Sequence, residues 1–123
     1  MFKVMRAAFL IHKGNLQDAS VMPAETVLRM ATIDAAKAIR MDNLIGSLTP
    51  RKKADMITLN LSAPTPVTPE NVITHIVVFG DGSMVENVII NGKQIVKHKK
   101  VLTTDEKVTR QRCMEAAAEL WKT

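Results

Sequence analysis

The chain has 123 residues, 46% of them apolar and 24% charged, and carries a formal net charge of +5. That is the composition of one ordinary globular domain, long enough to bury about two-thirds of its unfolded surface, and it argues against a disordered chain. Only 3% of the residues are aromatic, which excludes a stacking platform for single-stranded nucleic acid, and no apolar run approaches the roughly 18 residues of a membrane span.

The first predicted element is a helix over residues 2–12. Phe2, Met5, Phe9 and His12 recur at helical spacing, while Val4, Ala8 and Ile11 widen the stripe. Gly14 is the expected stop. So broad an apolar face needs cover on more than one side. After a loop over 15–22, Pro23 opens a second helix where a missing N–H costs least, with Ala24, Val27, Leu28 and Ala31 on one face. Thr32 is the expected cap of a short third helix, Asp34 to Arg40, with Ala35, Ala38 and Ile39 pointing inward.

The period changes at Gly46. Met56 to Leu61 alternates as a half-buried strand, with Ile57, Leu59 and Leu61 on the inner side. Residues 62–69 contain three prolines and read as a surface connection. Asn71 to Phe79 is ambiguous: its β-branched content says strand, its start after Pro69-Glu70 says helix, and a short helical turn running into extended chain is expected. Gly80-Asp81-Gly82 reads as a turn. Val85 to Ile90 and Lys93 to Lys97 are predicted strands on either side of Asn91-Gly92, the strongest short-range hairpin signal. A closing amphipathic helix follows. Thr103 and Glu106 have capping-box spacing, and Val108, Cys113, Ala116, Ala117, Leu120 and Trp121 mark its expected buried face. The fold class is therefore α+β: three N-terminal helices, a small antiparallel or mixed sheet with an Asn-Gly hairpin, and a C-terminal amphipathic helix.

The residues offer no catalytic constellation. His12, His75 and His98 lie far apart and read as a partly buried helix residue, a loop residue and a strand-end residue; no HxH, HExxH or CxxC supplies metal ligands at short spacing. Glu115 and Glu119 share a helical face, which for an amphipathic terminal helix is a solvated one. None of Ser20, Ser47 and Ser62 sits in a GxSxG elbow, and no phosphate-binding glycine loop is present. One cysteine, Cys113, excludes an intrachain disulfide, fits a reducing, cytoplasmic setting, and is expected to be buried and inert. The basic clusters Arg51-Lys52-Lys53 and Lys97 to Lys100 sit beside turns and form no helical stripe for a nucleic-acid groove.

Three stretches together resemble one family. Residues 22–32, with Pro23-Ala24-Glu25 and Met30-Ala31-Thr32, resemble the PAE-x-x-L-x-M-A-T helix pair of the metal-dependent amidohydrolases. Residues 45–57, Ile45-Gly46-Ser47-Leu48 through Ala54-Asp55, resemble their IGSL-x-PGK-x-AD-x-I turn and strand, and residues 85–96 resemble their C-terminal V-x-x-V-x-V-x-G-x-x-V hairpin. The likeness is nearest to the chlorohydrolase and adenosine-type deaminase branch. Arg51 stands where that pattern has Gly; a positive φ there would store strain of order 1 kcal/mol.

The resemblance implies a TIM barrel with a metal site, a β-sandwich, and attack of metal-activated water on a ring or amide carbon. It also implies that the chain is the C-terminal portion only. The family's zinc or iron ligands (an HxH pair, two further histidines and an aspartate) and its acid–base Glu are then expected before Met1. No catalytic, cofactor-binding or metal-ligating residue is carried over to this chain. Residues 1–44 are expected to be the helical segment of the barrel and residues 45–123 the sandwich remnant with its closing helix, together one compact unit. The expected function is that of a segment of a hydrolase acting on C–N bonds other than peptide bonds, inactive alone. The alternative is a free-standing oligomeric binding or interaction module. Exposed apolar helix and strand edges point to a homo-oligomer, or to complementation by a missing barrel segment, with neither nucleic acid nor membrane as partner.

Overall fold

The computed structural model describes residues 1–61 and 65–121. Ser62, Ala63 and Pro64, which open the expected connector, lie outside the described residues, as do residues 122–123. The elements run α1 (Phe2–Leu16), α2 (Ala24–Met30), α3 (Ile33–Ala38), β1 (Met56–Leu59), α4 (Val72–Phe79), β2 (Val85–Ile90), β3 (Lys93–Lys97), β4 (Lys100–Val101) and α5 (Glu106–Leu120). A 3-10 turn at Gly82–Met84 leads into β2. The fold is α+β, with N-terminal helices, an open sheet in the order β1-β2-β3-β4, and a C-terminal helix. Every strand pair is antiparallel, so the sheet is not mixed.

The core lies between α1, α2 and α4. Met5, Ala24, Val27 and Val77 are buried, with Phe2, Phe9, Leu28, Ile73 and Ile76 packed round them. Full burial of Val27 and Val77 contributes about 1.5–3 kcal/mol for each side chain. α1 passes through the expected stop at Gly14 and ends at Leu16; the next residue, Gln17, is left-handed (φ 49°), which turns the Asp18 N–H back to Lys13 O at 3.2 Å. Only one side of its broad apolar face is covered. Val4 and Ile11 remain more than half exposed, and His12 faces solvent. Lys13 holds the loop after α1: its Nζ donates to Ala19 O and to Val21 O (2.7 Å) and sits 4.5 Å from the Phe9 ring centre.

α3 differs from expectation in both ends and phase. It ends at Ala38; Ala36 is buried, whereas Ala35, Ala38 and Ile39 are exposed. Thr32 precedes it but makes no side-chain cap, because its hydroxyl donates back to Leu28 O at 2.7 Å. The inward phase is set by Gly46, which lies against Ala36 with φ +88°. A methyl group at Gly46 would come within 2.7 Å of Ala36 Cβ and 3.0 Å of Ile33 Cα. Only glycine meets both the conformation and the close approach.

Residues 72–79 are helical throughout, not a turn running into extended chain. Here packing overrides β-branched propensity, since α4 is wedged between α1 and α2. Asn71 prepares its start by accepting from Thr68 N (2.8 Å) and donating to Pro66 O (3.1 Å).

In the sheet, β1 ends at Leu59, two residues early. Its register against β2 slips between Thr58 and Leu59, which sits opposite Val85. That irregularity breaks the expected alternation and leaves Ile57 47% exposed. Asn91 (φ 50°) and Gly92 (φ 77°) join β2 to β3 with the two left-handed residues of a type I′ turn. Gly92 N donates to Ala54 O and Asn91 N to Asp55 Oδ1, which ties this turn to the start of β1. β4 was not expected. His98 (φ 47°) and Lys99 (φ 64°) form a second two-residue turn without glycine, held because His98 N donates to Asn87 Oδ1 and Lys99 N to Glu86 O.

α5 begins at Glu106, which places Asp105 at the cap. Its Oδ1 accepts from Lys107 N (2.9 Å) and Val108 N (3.2 Å). The Thr103–Glu106 capping box is absent; Glu106 instead accepts from Val101 N. No described residue of α5 is buried, so the expected inner face is not an inner face here. Cys113 is exposed, and Trp121 is 87% exposed. Periodicity shows which residues share a side of a helix, but not whether anything covers it.

Candidate functional site

The three histidines do not converge. His12 and His98 are exposed, and His98 Nδ1 lies 3.6 Å from Glu86 Oε1. His75 is a buried helix residue (6% exposed), not the expected loop residue. Its Nε2 lies 3.2 Å from Thr65 Oγ1, and its ring meets Phe79 at 5.3 Å between centres. Nδ1 is buried and has no hydrogen-bond partner among the described residues. Neither a second imidazole nor a carboxylate is paired with it there. The burial was readable in principle: Val72, Ile73, Ile76 and Val77 recur at helical spacing, and His75 and Phe79 are one turn apart.

Other candidates are equally dispersed. Glu115 accepts from Gln111 Nε2 (2.9 Å) on an exposed face, and Glu119 is exposed. Ser20 Oγ donates to Asp18 Oδ1 at 2.6 Å in an exposed turn. That bond and the Ser20 N–H hold the Asp18 carboxyl below its ordinary value of 3.8, the opposite of what a general base needs. Ser47 pairs with Thr49 (3.0 Å). Ser62 lies outside the described residues. Among the described residues, no group of three or more His, Cys, Asp or Glu could hold a metal ion. The residues described therefore do not fit the zinc or iron site that the resemblance implies, and no step through a metal is derived for this chain. No described helix is long and apolar enough to cross a membrane.

Two features have shape without chemistry for catalysis. An apolar cleft of about 180 Å³ lies between α1, α2 and α3. Every side chain lining it is apolar, so it can take apolar bulk but cannot orient a polar substrate. The second feature is the turn over Thr49-Pro50-Arg51-Lys52. Lys52 N donates to Thr49 O at 3.2 Å and Arg51 has φ 76°, the geometry of a type II turn, with Pro and a left-handed residue at the central positions. Arg51 thus occupies a glycine slot and carries the strain that its departure from the family pattern implied.

The Amidohydrolase family model matches residues 1–95. The 5-methylthioadenosine/S-adenosylhomocysteine deaminase 1 of Syntrophus aciditrophicus is 37% identical over 115 residues, 94% of this chain and 25% of that protein. The corresponding deaminase of Syntrophomonas wolfei is 34% identical over 120 residues, 98% of this chain and 28% of its own length. The chain thus spans about a quarter of the length of the curated relatives it matches. In structure it is similar to a zinc-bound adenosine deaminase from Xanthomonas campestris: TM-score 0.85, 26% identity, covering 100% of this chain and 28% of that one. It shares its fold with the zinc complex of an atrazine chlorohydrolase from Arthrobacter aurescens, with TM-score 0.76, 19% identity, 94% of this chain and 26% of that one.

These findings correct one expectation. The likeness was expected to the C-terminal portion of the family only. The family match instead lies on residues 1–95, the N-terminal part of this chain, and leaves β4 and α5 outside, so the assignment to a C-terminal portion is withdrawn. The membership itself rests on more than three-quarters of the chain, and the chain belongs to the amidohydrolase family.

Proposed function

We propose that the chain is the non-catalytic share of a metal-dependent hydrolase that acts on C–N bonds other than peptide bonds, of the deaminase or chlorohydrolase type. One observation carries this reading: a chain within the amidohydrolase family in which no metal-holding group occurs among the described residues. Its contribution is packing surface. Residues 1–44 supply helices of the barrel type, and residues 45–123 supply a sheet of the sandwich type with a closing helix. The relatives' names make an adenosine-type nucleoside the substrate to test first. A single exposed cysteine fits a cytoplasmic setting.

The test is ammonia release from 5′-methylthioadenosine and S-adenosylhomocysteine. The purified chain with added zinc or iron is expected to release none. Mixed with the Syntrophomonas wolfei relative from which the matched segment has been deleted, it is expected to restore release. Turnover by the chain alone contradicts the non-catalytic role. Failure of the mixture, with both parts folded, contradicts its being a share of such an enzyme.

A second reading is a free-standing assembly of copies of this chain. It is favoured by the exposure of Val4 (65%), Ile11 (57%), Met114 (68%) and Trp121 (87%).

A further inference from the structure

Of the six asparagines, Asn91 alone is followed by glycine. In such a pair the next backbone nitrogen can attack the side-chain amide carbon, because glycine puts no side chain in the way. Asn91 and Gly92 are both exposed, and nothing lies within 4 Å of where a Cβ on Gly92 would stand. One other pair has the same spacing, Asp81-Gly82. There hydrogen bonds from Ser83 hold the carboxyl below its ordinary value, so it stays a carboxylate and offers no good leaving group. What restrains Asn91 is backbone pairing. Gly92 N, the attacking atom, donates to Ala54 O at 3.0 Å, and Asn91 N donates to Asp55 Oδ1. The nitrogen must give up that hydrogen to react, so the bond to Ala54 O blocks attack while it lasts. Ala54 and Asp55 lead into β1, a four-residue strand at the edge of the sheet, and short edge elements open locally before the whole fold does.

We propose that Asn91 is a spontaneous modification site, gated by the contact between Ala54-Asp55 and the β2–β3 turn. When the contact opens, Gly92 N loses its hydrogen to solvent and bonds to Asn91 Cγ. The Cγ–Nδ2 bond breaks and ammonia leaves, which closes a succinimide ring. Water then opens the ring. Cleavage of the new N–Cγ bond gives aspartate at this position. Cleavage of the original peptide bond gives isoaspartate, with the chain running through Cβ. Isoaspartate puts an extra backbone atom into a two-residue type I′ turn, so the neighbouring Ile90–Lys93 pairing gives way. Each chain releases its ammonia once, which separates this step from turnover of a nucleoside.

The purified chain is incubated at mildly alkaline pH, folded and in urea. Peptide mass follows the conversion of Asn91, and enzymatic methylation of isoaspartate follows the product. Conversion in the folded protein is expected at Asn91 and at no other asparagine, at least about tenfold slower than in urea. Asp55→Ala is expected to speed it about 3- to 10-fold, the worth of one hydrogen bond, with circular dichroism unchanged. Asp55→Asn, whose side-chain oxygen still accepts, is expected to return the rate toward wild type. Equal rates folded and in urea overturn the gate. An Asn91 that converts in urea but stays intact in the folded protein overturns the site. Slower conversion in Asp55→Ala overturns the latching role, because the carboxylate would then be assisting the attack.

Discussion

Replacing Arg51 by glycine should stabilise the protein, although it removes a side chain and adds freedom to the unfolded state. Arg51 has φ 76° at the third position of the turn closed by Lys52 N and Thr49 O. An L-residue in that region costs about 1–2 kcal/mol, and glycine removes nearly all of it. Against this, glycine raises the entropy of the unfolded chain by about 0.4–1 kcal/mol. The exposed side chain forms no ion pair among the described residues, so the backbone terms decide the sign. The net gain is about 0.5–1 kcal/mol. At about 2.1 cal/mol/K of unfolding entropy per residue, that raises Tm by roughly 2–4 °C for a chain of 123 residues. Differential scanning calorimetry of Arg51→Gly and Arg51→Ala separates the backbone effect from charge. The alanine variant also relieves repulsion with Lys52 and Lys53 but keeps the left-handed cost. Equal melting temperatures for the two variants, or a glycine variant below wild type, would refute the reasoning.

Three further predictions concern packing, capping and pH. Gly46→Ala should cost about 2–4 kcal/mol in urea unfolding, from left-handed strain and the 2.7 Å approach to Ala36 Cβ, and Ala36→Gly should return part of it in the double variant. Asp105→Ala should cost about 1 kcal/mol, read as faster amide exchange confined to α5, because a helix with no buried residue frays locally. The Asp81 carboxyl is held below its ordinary 3.8 by hydrogen bonds from Ser83. Its contribution is therefore present above the unfolded value and is lost as pH falls through the lower folded one, so Asp81→Asn should flatten the acid limb of the stability curve between about pH 5 and pH 2.

What the sequence made legible was local. Helical spacing identified α1 and α2, and Asn91-Gly92 announced its turn, because in each case the signal sits within a few residues. The errors came from long-range contacts. α4 is helical because α1 and α2 enclose it, against its β-branched composition. α3 turns Ala36 inward because Gly46 lies on it, ten positions away in sequence. β4 escaped notice because His98-Lys99 lacks glycine and is held by Asn87 and Glu86 of another strand. The face of α5 was readable as a stripe, while its lack of cover was not. The site followed the same logic: the scattered histidines were visible at once, but the burial of His75 depends on the helix that forms round it.

The most direct measurement is metal content per chain on purified, tag-free protein after dialysis. A value near zero is predicted, since His12, His75 and His98 share no ligand group among the described residues. About one zinc or iron retained per chain would contradict the non-catalytic role.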